Sequence, residues 1–167
     1  MGEYFQRLFK YAEIDYSSSP QEESIYFPFG VKHLIIPDMA CNIYSLIDYR
    51  LFSICKNKEI LNPNATKLEN FKKLRESDLQ YYIRYLKEVF AVDLSAQNHN
   101  FETLNNLRIV RNILIHSGGH YIPKPRDKNP RDIQGISMNY SLVEVSEEFI
   151  WKSFESAREF LQAAAKA

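Results

Sequence analysis

The stretch NFETLNNLRIVRNILIHSGG, residues 100–119, carries the helical pattern that decides the fold. Asn100 is a favourable N-cap, and Glu102 would lie in the first turn of the helix. The pair Gly118-Gly119 suits a left-handed C-cap. The sequence therefore predicts a helix that begins near Asn100 and ends at these glycines; we call it the motif helix.

The motif helix divides into an apolar and a polar face when its residues are placed on a wheel at about 100° per residue. Arg108, Asn112 and His116 are spaced by four and form one polar stripe. Arg111 is assigned to the other flank of the same polar face, about 140° from His116. The opposite, apolar face is predicted to consist of Leu107, Ile109, Val110, Ile113 and Leu114.

The polar face unites residue types that can cleave a phosphodiester without a metal. A histidine transfers protons near neutral pH, and a guanidinium holds a phosphate in a fixed fork. The alternative is structural, because arginines and asparagines on one helix face are usually solvated and a histidine before a glycine cap is often only a capping residue. On the wheel alone, the structural interpretation is the more common one.

Helical spacing of apolar residues recurs along the chain and predicts an all-α fold. Pro37 either kinks the first long helix or starts a new one. The segment GISMNYSLVEV, residues 135–145, alternates as a short hairpin does. We expect an antiparallel bundle of four main helices with a small β-hairpin or irregular segment after the motif helix. The predicted helices are 31–55, 68–92, 101–117 and 145–163, with a loop over 56–66.

The chain length of 167 residues predicts a single domain over 1–167. Within it, residues 1–20 are predicted to form a short N-terminal helix and a loop. Residues 163–167 are expected to be a frayed tail without a functional role.

The formal net charge is zero, so any contact with RNA must come from a local patch. Residues 108–131 hold six cations and one anion, a local excess of five. The second half of this segment belongs to a long stretch after Gly118 in which prolines prevent a continuous helix. Its cations are candidate substrate-binding residues, with a solvated basic loop as the alternative: Arg108, Lys124, Arg126, Lys128 and Arg131.

Several classes of protein are disfavoured by the sequence. It has no 18-residue apolar run and no signal peptide, which predicts a cytoplasmic location without a membrane span. Cys41 and Cys55 would lie about 21 Å apart on one helix, too far for a disulfide. The histidines do not cluster with cysteines or carboxylates, so we expect no metal site and no cofactor.

Arg111-Asn112-Ile-Leu-Ile-His116 resembles the signature of the HEPN superfamily, the higher eukaryote and prokaryote nucleotide-binding domains. That signature is an arginine, a polar residue, three variable residues and a histidine, near the end of a late helix of a bundle. The segment from Phe27 to Cys55 also resembles the first long helix of bacterial members. The resemblance covers most of residues 27–165.

The resemblance implies a metal-independent endoribonuclease in which the ribose 2′-hydroxyl attacks the adjacent phosphate and leaves a 2′,3′-cyclic phosphate. His116 would then be the general acid or base, and Arg111 would stabilise charge in the transition state. Asn112 would orient His116 or the phosphate. A homodimer would place two motif helices side by side across a two-fold axis.

Two functions remain open at this point: a toxin or phage-defence ribonuclease that acts on RNA, and a non-catalytic nucleotide-binding or adaptor module. The first also implies an antitoxin as a candidate partner. Some toxin members carry a tyrosine two positions after the histidine, which a partner nucleotidyltransferase modifies. Here that position is Gly118 and the nearest tyrosine is Tyr121, which argues against this type of antitoxin.

Overall fold

The protein is described from a computed structural model that covers residues 26–71, 73, 76–123 and 128–166, with side chains from Ile35 onwards. The described residues form four α-helices and one hairpin, which confirms the predicted all-α class. The predicted N-terminal helix lies outside them. The elements are α1 (Tyr26–Leu61), α2 (Asp78–Phe90), α3 (Asn98–His116), β1 (Ile136–Asn139), β2 (Leu142–Val145) and α4 (Glu147–Lys166).

Helix α1 is the element on which the others assemble, because α2, α3 and α4 all pack against it. It runs for 36 residues without a break at Pro37, so the alternative of a new helix starting there is wrong. The predicted loop from residue 56 is also wrong, since the helix continues to Leu61. Within this extension, Lys56 forms ion pairs with Glu59, one turn later, at 3.3 Å and with Glu69 at 3.0 Å.

Helix α2 is shorter than the predicted helix over 68–92, which is therefore wrong at its start. Only a 3-10 turn forms at Leu68–Asn70. The α-helix begins after Ser77, whose hydroxyl accepts from the Gln80 amide while the Gln80 side chain accepts from the Ser77 amide. This capping box satisfies two backbone donors and fixes the helix start.

The core lies where α1, α3 and α4 meet. Helix α3 contributes Leu104, Leu107 and Val110, each fully buried, so the predicted apolar face is correct in its centre. The flanking Ile109, Ile113 and Leu114 are partly buried against the same core. The largest fully buried side chains elsewhere are Tyr85, Phe160, Ile47, Leu51, Leu68, Leu79, Leu86 and Ile150.

Helix α4 begins as predicted, because the Ser146 hydroxyl accepts a hydrogen bond from the Phe149 amide at 3.1 Å. Its end differs from the prediction of a frayed tail from residue 163. The helix continues to Lys166, and Ala164 is fully buried. A small alanine side chain allows two helices to pack closely. The prediction failed because an alanine-rich segment shows no contrast between an apolar and a polar face.

The hairpin of β1 and β2 confirms the predicted β element and docks onto the end of α3. Its register pairs Ile136 with Val145 and Asn139 with Leu142. The Val143 amide donates to the Gly119 carbonyl at 2.9 Å. The hairpin therefore fixes the chain that leaves the motif helix.

Among the described helices, none is long and apolar enough to cross a bilayer. Cys41 and Cys55 are both free thiols, in agreement with the predicted lack of a disulfide between them. Burial raises the pKa of the Cys55 thiol to about 12.

Two glycines allow a matched test of this fold. Gly135 and Gly118 both have positive φ, but a Cβ at Gly135 would lie 2.8 Å from the Ser146 hydroxyl and 2.9 Å from Phe149 Cβ, whereas one at Gly118 meets nothing within 4 Å. Gly118→Ala should lower the free energy of unfolding by about 1 kcal/mol, from backbone strain alone. Gly135→Ala should lower it by about 3 kcal/mol, because overpacking adds to the strain. Urea denaturation measures both, and equal losses would contradict the close approach of Gly135 to the start of α4.

Candidate active site

The motif helix α3 spans Asn98–His116, so it begins two residues before the predicted N-cap at Asn100. Asn100 instead lies in the first turn, where its side-chain amide donates to Gln97 at 2.7 Å and to Glu159 at 3.1 Å. Its use as a link to α4 overrides its capping preference. The predicted end is correct, because Gly118 takes a φ of 57° and the Gly119 amide donates to the Ile113 carbonyl at 3.1 Å.

Arg111 does not lie on the open polar face, and this part of the wheel assignment is wrong. The side chain is half-buried, and its Nε atom is buried with no hydrogen-bond partner among the residues that the structure describes. Arg111 follows Leu104 and Leu107 at spacings of seven and four, which places all three on one side of the helix. The sequence contained this signal, but an arginine is normally assigned to solvent.

The guanidinium of Arg111 is held by two neighbours. One terminal nitrogen donates to the Asn112 side-chain oxygen at 3.1 Å, and the guanidinium carbon lies 5.9 Å from the centre of the Tyr44 ring. The ring distance is within the range of a cation–π contact. The structure therefore brings together two of the three predicted catalytic residues.

Arg111 also lines an open cleft between α1 and the start of α2, with a volume of about 320 Å³. Two carboxylates and several aromatic rings share this cleft with the guanidinium. Burial, and to a smaller extent the nearby Asp48 carboxylate, raise the pKa of the Tyr44 phenol to about 12. The phenol is thus protonated at neutral pH and can donate a hydrogen bond. The lining residues are Tyr44, Ser45, Asp48, Tyr49, Phe52, Asp78, Tyr82 and Arg111.

Sequence reasoning missed the α1 side of this cleft. Tyr44, Asp48 and Phe52 are spaced by four, and Ser45 and Tyr49 lie beside them, so they form one stripe on α1. The stripe mixes polar and aromatic residues within a mostly apolar helix. That irregularity was the available signal, and the apolar periodicity of α1 masked it.

His116 lies at the exposed end of α3 and is not part of the cleft. Its side chain makes no hydrogen bond with any residue that the structure describes. One copy of the chain therefore does not bring His116 onto the Arg111–Asn112 pair, as the divergence around the helix predicted. A second histidine, His120, follows the cap, and its Nδ1 lies 2.9 Å from the Ser141 hydroxyl.

The predicted substrate-binding cations occupy different surroundings. Arg108 is half-buried and donates to Asn105 at 3.0 Å, while Arg131 is exposed in a 3-10 turn. Lys128 binds Asn106 at 2.9 Å and approaches Glu102 at 3.9 Å, so it ties its loop to α3. Lys124 and Arg126 lie outside the described residues.

Comparisons with known proteins give no match: no family model fits the chain, and neither a curated protein nor a solved structure is significantly similar. Within the described ranges, no group of three or more histidine, cysteine or acidic side chains is placed to hold a metal ion.

The different burial of Arg111 and His116 makes a prediction about stability. His116→Ala should change the free energy of unfolding by about 0.5 kcal/mol or less, because the side chain is exposed. Arg111→Ala should lower it by about 1–2 kcal/mol, since it removes packing on Tyr44 and the cation that faces the cleft carboxylates. Urea denaturation of each variant is the measurement, with Arg111→Lys as the charge-conserving control. Equal losses for the two alanine variants would show that Arg111 is as exposed as His116.

Proposed function

We propose that this protein is a metal-independent endoribonuclease of the HEPN type, which acts in the cytoplasm as a toxin or phage-defence effector. The observation that carries the proposal is the environment of Arg111. A half-buried guanidinium that lines an open cleft and is oriented by Asn112 and Tyr44 is a donor suited to a phosphate oxygen. The exposed His116 supplies a group that transfers protons near neutral pH.

The reaction would be a transesterification within the RNA chain. A histidine takes the proton of the ribose 2′-hydroxyl, and the 2′-oxygen forms a bond to phosphorus as the bond from phosphorus to the 5′-oxygen breaks. A second proton donor protonates that leaving oxygen. The products are a 2′,3′-cyclic phosphate and a 5′-hydroxyl, and Arg111 would stabilise the extra negative charge on the phosphorus centre.

The separation of Arg111 from His116 supports a homodimer as the active form. Two copies related by a two-fold axis would combine Arg111 of one copy with His116 of the other, so that the dimer holds two such sites. Exposed apolar side chains suited to such a contact surround the end of α3. They include Ile115 at 49% exposure and Ile122 at 68%.

The alternative function is a non-catalytic nucleotide-binding or adaptor module. The cleft beside Arg111 favours this alternative, because the guanidinium could hold a ligand phosphate without any role for His116. Experiments can distinguish the two functions, since only the ribonuclease requires the exposed His116.

Cleavage assays on single-stranded RNA test the catalytic assignment. His116→Ala and Arg111→Ala should each abolish cleavage, and the double variant should be hardly worse than either, because they act in one step. His99→Ala is the matched control, an exposed histidine at the other end of α3, and it should leave the rate unchanged. Cleavage by the wild-type protein should persist in EDTA.

The adaptor function would replace the ribonuclease if the folded wild-type dimer cleaved no RNA but bound a nucleotide through Arg111. A loss of folding in the His116→Ala variant would show that His116 is structural.

Mixing inactive variants tests whether the site is shared between copies. A dimer of one Arg111→Ala copy and one His116→Ala copy retains one site with both residues intact if the site crosses the two-fold axis. Refolding the two variants together should then restore about a quarter of the wild-type rate, since half of the random dimers are mixed and each has one of two sites. Light scattering checks the dimer, and no recovery in a proven mixed dimer would contradict the shared site.

The salt dependence of RNA binding tests the basic residues. Each cation that contacts a phosphate of single-stranded RNA contributes about 0.7 to the slope of log affinity against log salt concentration. Replacing Lys124, Arg126, Lys128 and Arg131 by alanine should therefore flatten the slope and raise the substrate concentration required. The pair Lys56 and Lys58, on α1, is the control. An unchanged slope would show that these cations face solvent and do not contact the RNA phosphates.

A further inference from the structure

The reaction proposed above needs two proton transfers, and His116 supplies only one of them. His116 takes the proton of the ribose 2′-hydroxyl. The leaving 5′-oxygen needs a separate donor as its bond to phosphorus breaks. A second histidine, His120, lies four residues further along the chain, just beyond the glycine cap of α3, and it is exposed.

A tight turn brings the backbone of His120 close to the end of α3. The His120 amide donates to the Ser117 carbonyl at 3.0 Å, which closes a turn over residues 117–120. The first and last Cα atoms of such a turn lie less than about 7 Å apart, and consecutive Cα atoms are about 3.8 Å apart. The Cα atoms of His116 and His120 are thus no more than about 11 Å apart. That separation is short enough for the two imidazoles to lie on either side of one phosphate.

The hairpin fixes the position of the His120 backbone. His120 forms an isolated antiparallel bridge with Leu142 of β2. The next residue, Tyr121, donates its amide hydrogen to the Ser141 carbonyl at 2.8 Å. A group that transfers a proton to a substrate must be held at a defined position, and pairing with a strand provides this better than a free loop does.

The imidazole of His120 is oriented by one hydroxyl. Its Nδ1 lies 2.9 Å from Ser141 Oγ, and its Nε2 makes no hydrogen bond with any residue that the structure describes. When Nδ1 carries a proton, the hydroxyl oxygen can accept it in a hydrogen bond. Nε2 is then the nitrogen that is left to exchange a proton with a substrate.

We propose that His120 is the proton donor to the leaving 5′-oxygen. As the 2′-oxygen bonds to phosphorus and the bond from phosphorus to the 5′-oxygen breaks, His120 Nε2 gives its proton to that oxygen. Proton exchange with water then returns both histidines to their starting states. Ser141 is a positioning residue, because it acts through the His120 ring. The inference rests on the proposed ribonuclease function and adds a second proton-transfer residue to the same site.

A substrate whose leaving group needs no proton tests this assignment. In an RNA oligonucleotide with sulfur in place of the bridging 5′-oxygen at the scissile bond, the leaving group is a thiolate, a much weaker base than an alkoxide. His120→Ala should slow cleavage of the ordinary oligonucleotide by about 10²–10⁴-fold and of the sulfur-substituted one by less than about tenfold. His116→Ala should slow both, since the 2′-hydroxyl must still lose its proton.

Two further variants separate proton transfer from a structural role. His120→Gln keeps a side chain that can hydrogen-bond to Ser141 but cannot transfer a proton, so it should be as slow as His120→Ala on the ordinary oligonucleotide. Ser141→Ala should slow that substrate by about fivefold, the effect of one lost hydrogen bond, and should leave cleavage of the sulfur-substituted one unchanged. Far-UV circular dichroism checks the fold of each variant. His120 is exposed, so its variants should fold.

Mixed dimers test whether the two histidines act from one copy, as their short separation requires. Refolding His116→Ala together with His120→Ala should give no more activity than the parent variants, because every site then draws its histidines from one defective copy. Recovery to about a quarter of the wild-type rate would place the two histidines of a site in different copies and overturn the pair.

The outcomes distinguish the two proposals. Three results overturn the role of His120 and leave the ribonuclease in place: a folded His120→Ala variant with the wild-type rate, equal slowing of both substrates by His120→Ala, or full activity in His120→Gln. Absence of any cleavage by the wild-type dimer refutes the ribonuclease itself.

Discussion

The packing of α3 against the core constrains everything proposed for this protein. Leu104 and Leu107 are fully buried, and Arg111 lies on the same side of the helix one turn later. Its guanidinium is therefore drawn toward Tyr44 on α1, and Asn112 of its own helix orients it. A helix rotated to expose Arg111 would also expose these leucines, so hydrophobic burial positions the cation.

The same orientation of α3 also separates His116 from Arg111 within one copy of the chain. With Arg111 turned toward α1, His116 is left exposed at the helix end, where the glycine cap and the docked hairpin fix the chain that follows. Under the proposed ribonuclease function, a complete site would therefore need His116 from a second copy. In the homodimer proposed above, the exposed apolar side chains near this end would form the dimer contact. That proposed role depends on the orientation of one helix.

The sequence predicted the helical class, the hairpin and the end of the motif helix, because apolar periodicity and glycine or proline placement are local signals. The half-burial of Arg111 and the cleft residues on α1 were not predicted. The spacing of Arg111 from Leu104 and Leu107 and the polar stripe on α1 were available signals, but the contacts between helices that give them meaning do not appear on a wheel drawn for one helix at a time. The start of α2 was missed for another reason: the capping box of Ser77 and Gln80 lies within a long apolar pattern that masks it.

The central claim is that Arg111 and His116 act on a phosphate attacked by the neighbouring ribose. The most direct measurement is mass spectrometry of the products from an RNA oligonucleotide with a single 2′-deoxy nucleotide at the cleavage position, beside its all-ribose counterpart. The account predicts that the all-ribose strand is cut to a 2′,3′-cyclic phosphate and a 5′-hydroxyl, while the substituted strand binds and stays intact at that position. Cleavage at the deoxy position, or a product that has never passed through the cyclic phosphate, would contradict it.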